Sequence, residues 1–206
     1  ATFDALTSSG AVSLTGSGSG NITVTDANID GVGTLTVNAA DVSGVVDVNA
    51  TNSSGDVTLT GGSGVDILEG GSGDDTITGG AGGDTLTTNG GFDAVFGGAG
   101  DDTIVFEGNM SLSDTADGGD GDDTLTATIG VATAQQLGAV TNVEIGTFTF
   151  NAAGSMNVSG DSYATINAIG SAAIDIDNIA TGINVALEDD TNTAVALDYV
   201  TGATAN

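Results

Sequence analysis

Residues 61–87 read GGSGVDILEGGSGDDTITGGAGGDTLT, three nine-residue units without a gap. Each unit opens Gly-Gly, with a further Gly in fourth place, Asp in sixth and an aliphatic residue in eighth. The register continues beyond the stretch. Units start at Gly61, Gly70, Gly79, Thr88, Gly97 and Gly118. Their sixth places hold Asp66, Asp75, Asp84, Asp93, Asp102 and Asp123, and their eighth places Leu68, Ile77, Leu86, Val95, Ile104 and Leu125. The unit TNGGFDAVF (88–96) has lost its leading glycine pair but keeps Gly91, Asp93 and Val95 in place. A twelve-residue departure, FEGNMSLSDTAD (106–117), precedes the last unit.

Within a unit the first six residues form a turn and the last three a short strand. Glycine permits positive φ and close backbone approach, which so tight a turn needs. Such turns aim carbonyl oxygens between neighbouring coils, and the Asp adds a carboxylate. The product is a cage of hard oxygen atoms suited to calcium, which takes six to eight such ligands at about 2.3–2.6 Å. The candidate ligands are the sixth-place carboxylates Asp66, Asp75, Asp84, Asp93, Asp102 and Asp123. The turns add the first-place Gly61, Gly70, Gly79, Gly97 and Gly118 and the third-place Ser63, Ser72, Ala81, Ala99 and Asp120. If two units make one coil, Asp66, Asp84 and Asp102 form one row and Asp75 and Asp93 another. The departure then replaces one half-coil, with NMSL (109–112) as its strand, and Asp123 rejoins the first row. Roughly four to six calcium ions are expected. The fifth-place Asp74, Asp101 and Asp122 are expected to face water. Asp30, Asp41, Asp47 and Asp175, outside the units, read as ordinary turn residues.

The flanks repeat more loosely. Upstream run VSLTG, ITVTD, LTVNA, VDVNA and VTLTG, and downstream FTFNA, MNVSG, ATINA, IDIDN, INVAL and AVALD. Alternation of period two in short segments argues for strands. Regular spacing with turn residues between them argues for coils that stack into a solenoid. The expected fold is all-β, a parallel β-solenoid or β-roll with short strands and Gly/Asp-rich turns. Three regions follow: irregular solenoid repeats at 1–60, the Gly-Asp roll at 61–126, and irregular solenoid or sandwich-like repeats at 127–206. The stretch VATAQQLGAV (131–140) is the one hint of helix, of about two turns.

Composition narrows the function. The chain of 206 residues has no Lys, Arg or His and a formal net charge of −28. Every carboxylate is therefore solvated, hydrogen-bonded or bound to a metal ion. Nothing is available to neutralise phosphates, so nucleic acid and anionic membranes are excluded as partners. There is no Cys, and no His or Lys to serve as general base, so catalysis finds no support. The abrupt ends, ATFDAL and VTGATAN, read as those of a processed or partial chain.

The six registered units resemble the RTX (repeats-in-toxin) calcium-binding family. That resemblance implies a parallel β-roll, with export from a Gram-negative cell by type I secretion to the cell surface or medium. The fourth unit departs from the pattern, and the carboxyl-terminal secretion signal of the family is not recognisable. The flanks carry a second resemblance: VTNVEIGTFTFNA (140–152) is similar to the strand repeats of bacterial surface-layer (S-layer) proteins. Together they imply a structural extracellular protein, subunit of a surface layer or filament, that folds and self-assembles with calcium. The alternatives are an RTX stalk from a larger secreted adhesin or enzyme and, from the paired outward threonines such as Thr58/Thr60 and Thr76/Thr78, an ice-binding solenoid.

Overall fold

The computed structural model of the chain describes residues 1–31, 33–111, 113–129, 135–136, 139–150, 154–157, 163, 165–170, 174–179, 183–188 and 195–199. All strand pairing among them is parallel. Ten strands stack in one sheet, from Thr2–Phe3 to Asn184–Glu188, and seven in a second, from Val12–Gly18 to Val140–Thr141. A four-stranded sheet runs from Gln135–Gln136 to Val195–Tyr199, and Leu6–Ser8 pairs with Ala27–Ile29. The chain passes back and forth between the two large sheets, so the molecule is an all-β, parallel β-solenoid.

Coil length follows the turn chemistry. Over the contiguous Gly-Asp units 61–105 successive coils are offset by 18 residues, as two units per coil require, and the departure lengthens the next offset to 21. Upstream the offset reaches 24 residues, because a third strand such as Ala27–Ile29 is inserted between the two sheets. Downstream it varies from 19 to 24 residues among the described strands. Where glycine makes a six-residue return possible the coil is two-sided; where it does not, the chain takes a longer path.

The core is two columns of inward aliphatic side chains in register. In the seven-stranded sheet Leu14, Val37, Leu59, Ile77, Val95, Ala116 and Val140 lie above one another. In the ten-stranded sheet the column runs Val24, Val48, Leu68, Leu86, Ile104, Leu125, Gly146 and Ile166. All of these except Leu14 are buried. Each repeat alone leaves its apolar face half covered, and stacking completes it.

Gly146 interrupts the second column for a steric reason. A Cβ there would lie 2.6 Å from Phe148 Cε2 and 2.7 Å from Tyr163 Cε1. These two rings meet edge to face, with centroids 5.6 Å apart and planes at 86°. The aromatic pair thus fills the place of the missing side chain. Gly146→Val is expected to lower the urea midpoint of the calcium-saturated protein by an amount equivalent to ~1–3 kcal/mol, the cost of overpacking a filled core. An unchanged midpoint would show that the rings do not occupy that space.

Three local expectations are corrected. Among the described residues there is no helix: within 131–140, Gln135–Gln136 and Val140 lie in strands, and 131–134 and 137–138 are outside the described residues. Parallel pairing of Gln135–Gln136 with the next coil overrides the weak helical pattern. The half-coil that replaces a repeat does not use NMSL as its strand. Asn109 closes the strand Thr103–Asn109, Met110 and Ser111 lie outside strands, and Leu112 is outside the described residues. The strand is Thr115–Asp120, whose Thr115 and Ala116 pair with Ala94 and Val95. Finally, the glycine pair is not confined to the turn. The strands Thr76–Ala81, Ala94–Ala99 and Thr115–Asp120 continue through it, with Gly80, Gly98 and Gly119 paired in register.

Candidate metal centre

The turns sort into two rows along the edges of the roll. The first row leads from the seven-stranded into the ten-stranded sheet through turns 61–66, 79–84, 97–102 and 118–123. The second row leads back, through turns 70–75, 88–93 and the irregular segment ending at Asp114. The structure places Asp66, Asp84, Asp102 and Asp123 in the first row and Asp75 and Asp93 in the second. All six are at most 3% exposed.

Each row is a ladder. The N–H groups of Asp66, Asp84 and Asp102 donate to Oδ1 of Asp84, Asp102 and Asp123 in the next coil, at 2.8, 2.7 and 2.8 Å. In the second row Val57 N–H donates to Asp75, Asp75 to Asp93 and Asp93 to Asp114, at 2.9, 2.9 and 2.8 Å. Two acidic residues outside the sequence reading extend these ladders. Asp114, 2% exposed, takes the sixth place of the irregular half-coil and also accepts Ser111 N–H at 2.6 Å. Glu144 accepts Asp123 N–H on Oε2 at 2.8 Å. Asp114 is marked in the sequence by the Asp-Thr pair it shares with Asp75, Asp84, Asp102 and Asp123. Glu144 is marked only by lying as far beyond Asp123 as Asp123 lies beyond Asp102.

The second carboxylate oxygen separates the turns into two kinds. In turns 61–66 and 70–75 it is satisfied from within: Gly62 N–H donates to Asp66 Oδ2 at 2.6 Å and Gly71 N–H to Asp75 Oδ2 at 2.8 Å. In turns 79–84, 97–102 and 118–123 the corresponding glycines, Gly80, Gly98 and Gly119, have φ of 120°, 117° and 107°. Only glycine enters that region cheaply. There Oδ2 of Asp84, Asp102 and Asp123 is buried without any hydrogen-bond partner. A buried, unpaired carboxylate oxygen is costly. These three have no proton donor, and the chain has no cationic side chain to offer one.

What they face instead is oxygen. A Cβ added at Gly79 would collide with both Asp84 Oδ2 and the main-chain oxygen of Gly97, and one at Gly97 with Asp102 Oδ2 and Gly118 O. At Gly118 the colliding atoms are Asp123 Oδ2 and Asn142 O. The bare face of each first-place glycine is thus where its own turn's carboxylate meets a carbonyl from the next coil. In the second row the contacts at Gly70 come from Asp75 alone, and Gly70 O accepts the Asn89 amide at 3.0 Å. The third-place residues sit farther out. Ser63, Ser72, Ala99 and Asp120 are exposed and Ala81 half-buried, and the main-chain oxygens of Ala99 and Asp120 accept Gly82 N–H and Gly100 N–H at 2.8 and 2.7 Å.

Burial raises these carboxyls from their ordinary 3.8. Asp75 is pushed up to about 7, and Asp84, Asp93 and Asp102 to about 6, with neighbouring carboxylates adding to the effect. Asp66 and Asp123 are raised by burial too. Oxygen ligands without proton donors, facing further oxygens, fit a hard cation such as calcium. Among the described residues no group of three or more acidic side chains is placed to share one ion, so main-chain oxygens would dominate each ligand set. The fifth-place Asp74, Asp101 and Asp122 are exposed, as expected. Asp74 and Asp101 cap the next coil, accepting Phe92 N–H at 2.9 Å and Asp122 N–H at 3.1 Å.

No curated protein and no solved structure matches the chain. A family model does: that of the RTX calcium-binding nonapeptide repeat (4 copies) matches residues 53–77, 78–108 and 111–131. The last segment takes in both the irregular half-coil with Asp114 and the final unit with Asp123. The Gly-Asp roll at the centre of this solenoid is therefore built of RTX calcium-binding nonapeptide repeats.

Proposed function

We propose that the chain is a structural extracellular protein, a subunit of a bacterial surface layer or filament, which folds and assembles as calcium binds to its roll. The observation that carries the calcium part is the set of three buried carboxylate oxygens, on Asp84, Asp102 and Asp123, that have no proton donor and face carbonyls of the next coil. When bound, calcium supplies the positive charge that this chain lacks. Asp84 with Gly97 O and Asp102 with Gly118 O would hold it in the first row. Asp66 and Gly79 O join them when Gly62 N–H gives way. Asp75 and Asp93 complete the ligand set in the second row, where both carboxylate oxygens of Asp75 already accept protein N–H groups, so the first row fills first.

In a calcium-poor cytoplasm the crowded carboxylates disfavour the roll, and glycine-rich turns are costly to order. Outside the cell, metal binding free energy becomes folding free energy. This supports secretion as an unfolded chain by the type I route that the RTX resemblance implies. Among the described residues Val12–Gly18 and Thr2–Phe3 are the upstream edge strands of the two large sheets, and Val140–Thr141 and Asn184–Glu188 the downstream ones. Edge strands offer backbone groups to further strands, whether of this protein or of another chain. Phe92 and Phe96 are 61% and 43% exposed, and apolar exposure of this kind also favours a partner.

An RTX stalk within a larger secreted protein is supported by the family match itself, which covers only the middle of the chain. The Thr ladders lend little to ice binding: Thr58 and Thr76 are followed by Ala94, and Thr60 and Thr78 by Phe96. Electron microscopy of the purified chain with calcium and after chelation, alongside circular dichroism, separates the readings. Fibres or sheets that vanish with chelator are expected. A folded but dispersed monomer in calcium would establish the stalk instead, and strand content and assembly indifferent to chelation would refute the calcium mechanism.

A further inference from the structure

The segment AVTNVEIGTFTF (139–150) has neither a glycine pair nor a sixth-place Asp and lies outside the nine-residue pattern. In the structure it is nonetheless the next coil of the first row. Thr124–Ile129 pairs residue for residue with Ile145–Phe150, which sets Glu144 beside Asp123. Asp123 N–H donates to Glu144 Oε2 at 2.8 Å, the bond that each earlier Asp of the row makes to the Asp of the following coil. The N–H groups of Glu144 and Ile145 both return to Asp123 O at 3.1 Å. Asn142 has φ of 52°, a left-handed conformation that Asn tolerates better than most residues. Its main-chain oxygen lies against the bare face of Gly118, where the first-place glycine oxygens stand in the earlier gaps. Into the same space points Asp123 Oδ2, on a side chain 0% exposed, with no hydrogen-bond partner.

We propose that the gap between turns 118–123 and 139–144 is a further calcium site, made outside the repeat pattern by the Asp123 and Glu144 carboxylates and the Asn142 main-chain oxygen. It rests on the calcium-binding reading of the roll. A role for Glu144 as a mere cap explains its bond to Asp123 N–H but leaves Asp123 Oδ2 buried and unsatisfied. A shared divalent ion satisfies that oxygen and balances two carboxylates at once. Glu is the better residue here because the turn lacks the glycine pair that brings an Asp close, and a longer side chain makes up the distance. The ion fastens the strand Ile145–Phe150, and with it the downstream coils, to the end of the Gly-Asp roll.

The test is calcium titration of the full chain by calorimetry, with circular dichroism, for wild type, Glu144→Gln and Asn142→Gly. Glu144→Gln keeps an oxygen for Asp123 N–H but removes the charge. It is expected to bind one ion fewer than wild type while its strand content in calcium is retained. Asn142→Gly keeps the main-chain ligand and the left-handed turn, and is expected to bind the full number. A Glu144→Gln chain with the wild-type number of ions and the same isotherm overturns the site. If wild type takes up no calcium, the reading of the whole roll fails with it. Should Glu144→Gln not fold, anomalous scattering from crystals of the calcium-loaded wild type decides. A peak between Asp123 and Glu144 is expected, and filled gaps elsewhere in the row with none here overturn the proposal.

Discussion

Stripped of calcium and desalted at pH 8, the chain is expected to lose most of its strand content, and to keep far more of it at pH 5. The sign comes from the buried carboxyls. Asp75 titrates near 7 in the folded chain, and Asp84, Asp93 and Asp102 near 6, against 3.8 for an ordinary Asp. Their folded values are raised, so the folded state binds protons more tightly than the unfolded one. Metal-free stability is then greatest in acid and falls as pH rises through the interval from about 4 to about 7. Each carboxyl costs roughly 1.4 kcal/mol per pH unit within its own interval. With several such groups the loss is comparable to the whole stability of a typical domain, about 5–15 kcal/mol. Calcium reverses the trend, because it binds the ionised form. Its stabilising effect is expected to grow with pH, and its binding to release protons. Thermal melts at both pH values, with and without calcium, check this, as does calorimetry in buffers of different ionisation enthalpy. A metal-free chain more stable at pH 8 than at pH 5 would contradict the burial of these groups.

Substituting Asp102 is expected to move stability and calcium affinity in opposite directions. Its Oδ1 accepts Asp84 N–H at 2.7 Å, while its Oδ2 is buried without a partner beside the main-chain oxygen of Gly118. Asp102→Asn retains the acceptor and replaces the unpaired anionic oxygen by an amide that can donate to that carbonyl. The metal-free roll at pH 8 should gain on the order of 1–3 kcal/mol, the cost of an unsatisfied buried polar group. The same change removes an anionic ligand, and calcium affinity at that gap should fall about tenfold or more, the equivalent of ~1.4 kcal/mol. Asp102→Ala, which also leaves Asp84 N–H unpaired, should lose in both conditions. The pH at which the metal-free chain loses its strand content, followed by circular dichroism, and calcium titration at pH 8 by calorimetry give both quantities. If Asp102→Asn were destabilised equally in each, Asp102 would be a turn cap and nothing more.

Much of this site was legible in the sequence because its spacing is rigid. A strand of period two joined to a six-residue glycine turn leaves a single way to close a coil, and Asp66, Asp84 and Asp102 fall into a row at once. Asp114 escaped because the departure FEGNMSLSDTAD breaks the glycine pattern that reveals the other turns. The pairing of Thr115 with Ala94 and the bond from Asp93 N–H to Asp114 Oδ1 show that it holds the sixth place. Glu144 escaped for the same reason, with a different residue type added. The upstream third strand, Ala27–Ile29, was missed because three residues carry too little alternation to be distinguished from a turn.

By itself the sequence determined that the chain is a parallel solenoid, that two units per coil would set its Asp residues in rows, and that its turns gather oxygen atoms with no cationic side chain. These follow from periodicity and composition, which act on every copy alike. Tertiary structure alone decided which carboxylates are left without a partner. Gly62 and Gly80 occupy the same place in the same repeat, yet they rest on different coils. Gly62 lies against the main-chain oxygens of Val42 and Ala39, in a longer coil without the repeat, and its N–H turns inward to Asp66. Gly80 lies against Gly62 O, adopts positive φ, and leaves Asp84 Oδ2 open. A glycine has no side chain to fix its own conformation, so the coil on which it stacks chooses for it.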